Sequence, residues 1–244
     1  MRIVIIIYRI LLGLRYRVKL IGIEVLNGSN PKLFLPNHQA TVDPQILFSH
    51  ISKYTPVMPV VTETYFKIPL LKYVLNGIKA VPVSDLTAGS RDIDVLKKIQ
   101  NNVIEALKNN KNVLLYPSGQ TTEQGFERIK NKKSAWVVVT DIPENTEIIA
   151  VRISGLWGSM WSKAKTGKSP SFFKAYFKGI LIVIANLIFF VPKREVLIEF
   201  SVITDEAKKK VIEGKVVFNS FLEEFYNKNG EEKISIVKHY FFEF

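Results

Sequence analysis

Short apolar runs alternate with helix-forming segments along most of this chain, and this alternation constrains the fold more than any other feature. The runs are rich in β-branched residues and end at proline, glycine or asparagine, as buried strands do. They cover residues 32–35, 57–61, 79–83, 113–116, 148–153 and 196–203. Between them, residues 91–108 carry apolar side chains at three- and four-residue spacing behind Ser90, the predicted N-cap. Strands that alternate with helices predict an α/β domain with helices on both faces of a sheet.

The length of 244 residues suits a single domain with one substantial core. We expect a membrane-associating helix over residues 1–19, the main domain over residues 20–205, and a C-terminal helix and tail over residues 206–244 that pack on it. Thr204 is placed to begin that last helix, which the pattern extends to residue 226. The chain has no cysteine, which excludes disulfides, cysteine–zinc sites and thiol nucleophiles.

The basic residues indicate an anionic partner. The net charge is +12, and the first twenty residues contain five basic side chains and no acidic one, interleaved with an apolar run. This pattern is typical of an interfacial helix that lies on an anionic membrane. The alternative is a core helix whose arginines reach solvent. A nucleic-acid partner is disfavoured, because the basic residues lie beside long apolar blocks.

A second apolar block covers residues 179–191, thirteen residues without a charge. A spanning helix needs about 20 apolar residues, so this block is too short to cross a bilayer unless residues 172–177 join it. It predicts a helix that dips into one leaflet, with a buried core helix as the alternative. Basic side chains on both sides would then meet lipid phosphates: Lys163, Lys165, Lys168, Lys193 and Arg194. Aromatic residues nearby would form an interfacial belt: Trp157, Trp161, Tyr176 and Phe177.

The most informative polar residues follow the first predicted strand. His38 comes directly after it, at the carboxyl edge where α/β sheets bind ligands. Asp43, five residues on, could orient the imidazole through one nitrogen and leave the other to accept a proton. The alternatives are that Asp43, followed by Pro44, is a helix N-cap and that His38 is a structural loop residue.

The segment Asn37-His38-x4-Asp43 resembles the NHx4D block of the glycerophospholipid acyltransferases, the group that includes lysophosphatidate acyltransferase. Three further segments resemble the other blocks of that family, in its order: residues 77–83, residues 115–121 (LYPSGQT) and residues 149–151. The third of the four blocks, with Thr122-Glu123-Gln124-Gly125 after it, looks closer to bacterial acylglycerophosphoethanolamine acyltransferases.

The resemblance implies a glycerol-3-phosphate acyltransferase-like fold: a single-domain mixed sheet flanked by helices, with the interfacial helix and the membrane-dipping segment added to it. It also implies catalysis by His38 and Asp43 and transfer of a fatty acyl group to a lysophospholipid. The donor would be acyl-CoA or acyl carrier protein as co-substrate, without a cofactor, at the cytoplasmic face of a membrane. The expected substrate-binding residues are Asn37, Lys79, Pro117, Ser118, Gly119, Gln120, Arg128, Lys130 and Lys133.

The chain departs from the family at three positions. Val83 and Thr121 stand where the family usually has arginine, and Ser118 where it has glutamate. Since those groups are credited with holding glycerol phosphate, we expect a head-group-bearing lysolipid, such as lysophosphatidylethanolamine, to be accepted at least as well as lysophosphatidate. A catalytically silent lipid-binding scaffold with the same fold is the alternative function.

A base is needed for this chemistry in any case, since a free hydroxyl is a poor nucleophile at neutral pH. The turn at residues 117–119 is a candidate source of backbone N–H groups for the oxyanion, and an ordinary strand-ending turn is its alternative. No metal site is expected, because the other two histidines offer no ligand spacing with His38.

Overall fold

A sheet of seven strands forms the centre of the computed structural model, which describes residues 2–83, 93–188 and 190–239. The strands are β1 (Tyr16–Ile21), β2 (Lys32–Pro36), β3 (Val57–Thr62), β4 (Val81–Val83), β5 (Asn112–Leu114), β6 (Glu147–Ser154) and β7 (Arg194–Val202). Their spatial order is β1-β7-β6-β2-β5-β3-β4.

Five neighbouring strands run parallel and give the sheet one shared carboxyl edge. β6, β2, β5, β3 and β4 are joined by parallel ladders, whereas β7 runs antiparallel to β6 and has β1 parallel beside it. The loops after β2, β5 and β6 therefore leave the same edge from adjacent strands, which brings distant parts of the sequence together there.

Helices cover both faces of the sheet. They are α1 (Arg2–Arg15), α2 (Asp43–Ile51), α3 (Glu63–Phe66), α4 (Pro69–Gly77), α5 (Ile93–Lys108), α6 (Ser134–Thr140), α7 (Phe172–Ala185), α8 (Thr204–Ile212) and α9 (Lys215–Tyr226). Alternate residues of β2 serve the two faces, as the pleat requires. Leu33 and Leu35 pack with α5, α6, α8 and α9, and Phe34 packs with α2 and α7.

The mixed α/β domain expected from the alternation of strands and helices is confirmed, and each predicted strand is present to within two residues at its ends. Helix α5 follows the predicted periodicity from residue 93. The predicted N-cap Ser90 and the first two residues of that predicted helix, 91 and 92, lie outside the described residues.

Two predicted helices have different ends. The helix expected over residues 1–19 stops at Arg15, and Tyr16 begins an edge strand that pairs with β7. The helix expected over residues 204–226 is two helices, α8 and α9. Gly214 separates them at φ 113, a conformation that glycine adopts without strain.

The apolar block at residues 179–191 is helical only in part. Helix α7 begins earlier, at Phe172, and ends where Asn186 donates its side-chain amide to the carbonyl of Ile182. Leu187 and Ile188 follow with positive φ and cannot continue the helix. Among the residues described, none of the helices combines the length and apolar character needed to cross a bilayer.

Three residues expected to face lipid are instead buried. Arg194 donates hydrogen bonds to the carbonyls of Gly155 and Ser235. Trp157 and Trp161 also lie in the interior, so only Tyr176 and Phe177 of the predicted aromatic belt are exposed.

Candidate active site

The end of strand β2 brings the two predicted catalytic side chains into contact. His38 Nδ1 lies 3.1 Å from Asp43 Oδ2. A carboxylate can only accept, so Nδ1 carries the hydrogen and Nε2 is the nitrogen left to take up a proton. The His38 side chain is 14% exposed and that of Asp43 fully buried. This is the geometry of a base oriented by a carboxylate.

Asp43 does not serve as the N-cap of α2. Val42 occupies that position, Asp43 is the first helical residue, and its Oδ2 accepts the N–H of Ala40 behind it. Burial raises the pKa of Asp43, and the hydrogen bonds from His38 and from the backbone oppose that rise. The carboxyl group therefore faces the histidine loop, where its charge is stabilised by the imidazole.

The loop after β5 lies against the histidine, because β5 is the neighbour of β2. The ring of Tyr116 stacks at a tilt on that of His38, with 4.5 Å between centroids. Pro117 and Ser118 are buried just beyond. Gly119, at φ 63, donates its N–H to the carbonyl of Tyr116 at 3.1 Å, so this group closes the turn and is not available to an oxyanion. The ordinary-turn interpretation holds for Gly119.

A second carboxyl group, that of Glu127, lies beside His38 and is not predicted from the sequence. Glu127 is 3% exposed, and its Oε2 accepts the backbone N–H of His38 at 3.0 Å. The Ser118 side chain is also within hydrogen-bonding reach. Burial raises the pKa of Glu127 to about 7, against the effect of these hydrogen bonds.

Asn37 and Gln39, on either side of His38, tie its loop to the end of β6. The Asn37 side chain donates to the carbonyl of Ile153 and accepts its N–H, at 2.9 and 2.6 Å. Gln39 accepts the N–H of Leu156 and donates to Glu232 in the C-terminal segment. Asn37, predicted to bind substrate, thus has both amide atoms bonded to backbone. A polar cavity of about 250 Å³ lies behind these residues, next to Glu127.

The predicted substrate-binding cations are dispersed. Lys79 precedes β4 and so lies at the amino edge of the parallel strands, opposite to His38. Arg128 and Lys130 line a smaller cavity of about 100 Å³ with Gln120, and Lys130 pairs with Glu123 at 3.0 Å. Lys133 is exposed at the start of α6. The structure does not bring Lys79 to the site.

The part of the chain that the structure describes contains no cluster of three or more histidine, aspartate or glutamate side chains that could hold a metal ion.

Fold and site together define an α/β protein with a histidine–aspartate pair at the carboxyl edge of its parallel strands. A family model described as Acyltransferase matches residues 17–154, more than half of the chain, and the chain belongs to that family. No curated protein matches the chain significantly.

Among solved structures, the 1-acyl-sn-glycerophosphate (LPA) acyltransferase PlsC from Thermotoga maritima is similar, with a TM-score of 0.54 at 19% identity over 94% of this chain and 82% of that one. At this identity the likeness concerns the fold. The predicted membership in an acyltransferase family is confirmed, whereas the subgroup suggested by residues 115–125 stays a prediction.

Proposed function

We propose that this protein is an O-acyltransferase of phospholipid synthesis or remodelling, which moves a fatty acyl group from a thioester donor to the hydroxyl of a lysophospholipid. The donor is acyl-CoA or acyl carrier protein. The contact between His38 Nδ1 and Asp43 Oδ2 carries the proposal, since it supplies an oriented base in a chain of the acyltransferase family.

The reaction needs one proton to move twice. His38 Nε2 takes the proton of the acceptor hydroxyl as its oxygen bonds to the thioester carbonyl carbon. The carbon–sulfur bond then breaks, and the imidazolium returns the proton to the leaving thiolate. Asp43 keeps the ring in the required tautomer and stabilises its positive charge. A positioned base of this kind contributes a factor of about 10² to 10⁴ in rate.

The acceptor is proposed to come from a membrane surface, on its cytoplasmic face, through α1 and α7. Both helices expose large apolar side chains, among them Ile7 and Ile10 on α1 and Leu181 and Ile184 on α7. Tyr8 of α1 lies near Tyr176 of α7, so the two helices approach each other at these side chains. Basic side chains beside them would add about 1 kcal/mol each near an anionic bilayer.

The end of α7 nearest the site supports this arrangement. Phe172, its first residue, packs on Trp161, whose carbonyl accepts the N–H of Thr41 in the histidine loop. Ser169, just before α7, lies 3.3 Å from the Thr121 hydroxyl in the loop after β5. An acyl chain held along α7 would therefore have its head near His38.

For the acceptor we propose a lysolipid that bears a head group. Position 83, at the carboxyl edge of β4, is valine, position 121 is a buried threonine and Lys79 is at the opposite edge. A phosphomonoester carries up to two charges and is best held by arginine forks, so a site without them loses more on the monoester than on the phosphodiester. Arg128, exposed next to the third-block loop, is a candidate cation for the phosphodiester.

The test is a competition assay with purified protein, labelled acyl-CoA or acyl carrier protein, and equal amounts of lysophosphatidylethanolamine and lysophosphatidate. We expect lysophosphatidylethanolamine, the diester, to be acylated at least as fast as lysophosphatidate, the monoester. Lys111→Ala, which removes a cation at the amino edge of the parallel strands, is the control. A strong preference for lysophosphatidate that Arg128→Ala abolishes would contradict the acceptor proposal. Lipid binding without product from any acceptor would favour the silent scaffold.

A further inference from the structure

The backbone of His38 is held entirely by the segment that follows β5. Its N–H donates to Glu127 Oε2 at 3.0 Å, and its carbonyl accepts the N–H of Thr122 at 2.7 Å. With Asp43 on the ring, the histidine thus has one carboxyl group at its side chain and a second at its backbone.

Glu127 is itself fixed from the other side of the molecule. Asn227, just beyond the end of α9, accepts the N–H of Glu127 at 2.8 Å and donates to its carbonyl at 2.9 Å. The carboxyl group is 3% exposed, so it has little freedom to leave His38. A buried carboxyl group is costly to keep, which calls for an explanation beyond loop closure.

The charge of Glu127 depends on its surroundings. Burial raises its pKa to about 7, while the His38 N–H, the Ser118 side chain and a positive His38 ring favour the ionised form. The other titratable groups facing it from neighbouring elements are Asp43, Tyr116 and Tyr226, and those lining the adjacent cavity are Arg152, Glu231 and Glu232. Near neutral pH the carboxyl group therefore exchanges between its neutral and anionic forms.

We propose that Glu127 is a positioning residue for acyl transfer: it fixes the backbone of His38 and, as the carboxylate, stabilises the imidazolium formed when Nε2 takes the acceptor's hydroxyl proton. The inference rests on the proposed function. Glu127 does not take up the proton that the acceptor hydroxyl gives to His38. Its negative charge stabilises a positive His38 ring by electrostatic attraction. This attraction is stronger than in water because the groups are buried and little screened by solvent.

The kinetic test compares Glu127→Gln with Glu105→Gln, the same chemical change at an exposed carboxylate on α5. Glutamine keeps an acceptor for the His38 N–H and removes the charge. We expect kcat to fall about tenfold in Glu127→Gln with KM changed less than twofold, and the acidic limb of the kcat profile to lose the titration near pH 7. A profile parallel to that of the wild type, or an unchanged kcat, would overturn the inference.

A second test needs no turnover and follows the unmodified protein, with the folded variant His38→Ala used only to assign one signal. The chain has three histidines, so labelling them with ¹⁵N gives three backbone amide signals, and His38→Ala assigns the one of interest. The His38 amide proton of the unmodified protein should shift with a midpoint near pH 7, separately from the carbon-bound ring protons that report the imidazole. An amide that follows only the ring would contradict the proposal.

The two tests separate this inference from the proposed function. Absence of acylation in the wild type with every acceptor refutes the function, while the amide titration still decides whether Glu127 controls the His38 backbone. Acylation that is insensitive to Glu127→Gln refutes the positioning role alone.

Discussion

At the scale of single residues, the candidate site is built from two buried carboxyl groups and the mostly buried ring of His38. Asp43 and Glu127 each have a raised pKa because burial disfavours their charge. Each is also hydrogen-bonded to His38, at the ring and at the backbone respectively. Such groups cost stability and so mark functional sites.

This cost predicts a pH-dependent stability difference. The pKa of Glu127 is about 7 in the folded protein against an ordinary 4.5, so the folded state binds its proton more tightly than the unfolded state. The free energy of unfolding therefore falls progressively as the pH rises from 4.5 to 7. Above pH 7 this decrease is complete, on the order of 3 kcal/mol.

Glu127→Gln removes that penalty. We expect the variant to be more stable than the wild type at pH 8, by several degrees in Tm, and to show little or no advantage at pH 4.5. Thermal unfolding at both pH values measures this, with Glu105→Gln, at an exposed carboxylate on α5, as the reference. An advantage that is equal at both pH values would show that the charge of Glu127 is not the cause.

Residue-level prediction succeeded where the signal is local. The five-residue spacing of His38 and Asp43 predicted their contact because a strand end and the following helix start fix both positions. Glu127 lies 89 residues from His38, and only the pairing of β2 with β5 makes them neighbours. No local pattern in the sequence indicates that Glu127 lies beside His38. A single acidic residue in a predicted loop is expected to be exposed to solvent.

At the scale of elements, contacts between strands fix ends of helices that the apolar periodicity of the sequence does not predict. Tyr16 continues the apolar pattern of α1, yet it lies in a strand because Arg194 on β7 is its partner in the ladder. Likewise α7 begins at Phe172, before the apolar block, and ends at Ala185 within it, because the number of apolar residues does not mark where a helix starts or ends. Gly214, in contrast, is a residue type that favours a helix end. The helical pattern on both sides of it nevertheless led to the prediction of one continuous helix.

The C-terminal segment after α9 is the element that closes the site from outside. Glu232 accepts hydrogen bonds from Gln39 and from the N–H of Gly155, and its own N–H donates to Gly125. A Cβ at position 125 would lie 2.1 Å from the Glu232 carbonyl oxygen. The chain therefore passes closer to Gly125 than any side chain allows.

We expect Gly125→Ala to displace this segment and to destabilise the fold by about 1–3 kcal/mol, as overpacking does. Gly13→Ala is the control, because a Cβ there meets nothing within 4 Å and helix α1 should gain slightly. Limited proteolysis and thermal unfolding test it: early cleavage after residue 226 is expected only in Gly125→Ala. Equal resistance of the two variants would contradict the packing argument.

At the scale of the whole molecule, the two faces of the sheet differ in what they expose. The face covered by α2 and α7 also carries α1, and both α1 and α7 leave rows of apolar side chains uncovered. On the opposite face, α8 and α9 expose two large apolar side chains, Ile212 and Val216. The more extensive apolar surface, on α1 and α7, is the proposed docking face for a membrane.

Vesicle binding tests this orientation. Ile184→Asp with Leu187→Asp should release the protein from anionic vesicles, and raised salt should weaken binding to anionic more than to neutral vesicles. Ile212→Asp makes the same chemical change on the opposite face and should leave binding intact. Release by Ile212→Asp, or no release by the substitutions at Ile184 and Leu187, would contradict the proposed docking face.

The proposed function requires His38, oriented by Asp43, to act as the base for acyl transfer to a lysophospholipid. The direct measurement is product formation, by mass spectrometry of the lipid, for the wild type, His38→Ala, Asp43→Asn and the control His50→Ala, which removes a histidine from α2 away from the pair. We expect the rate to fall by a factor of about 10² to 10⁴ or more in His38→Ala and by at least 10² in Asp43→Asn, and to stay near the wild-type rate in His50→Ala. Acylation by folded His38→Ala at a rate close to that of the wild type would contradict it.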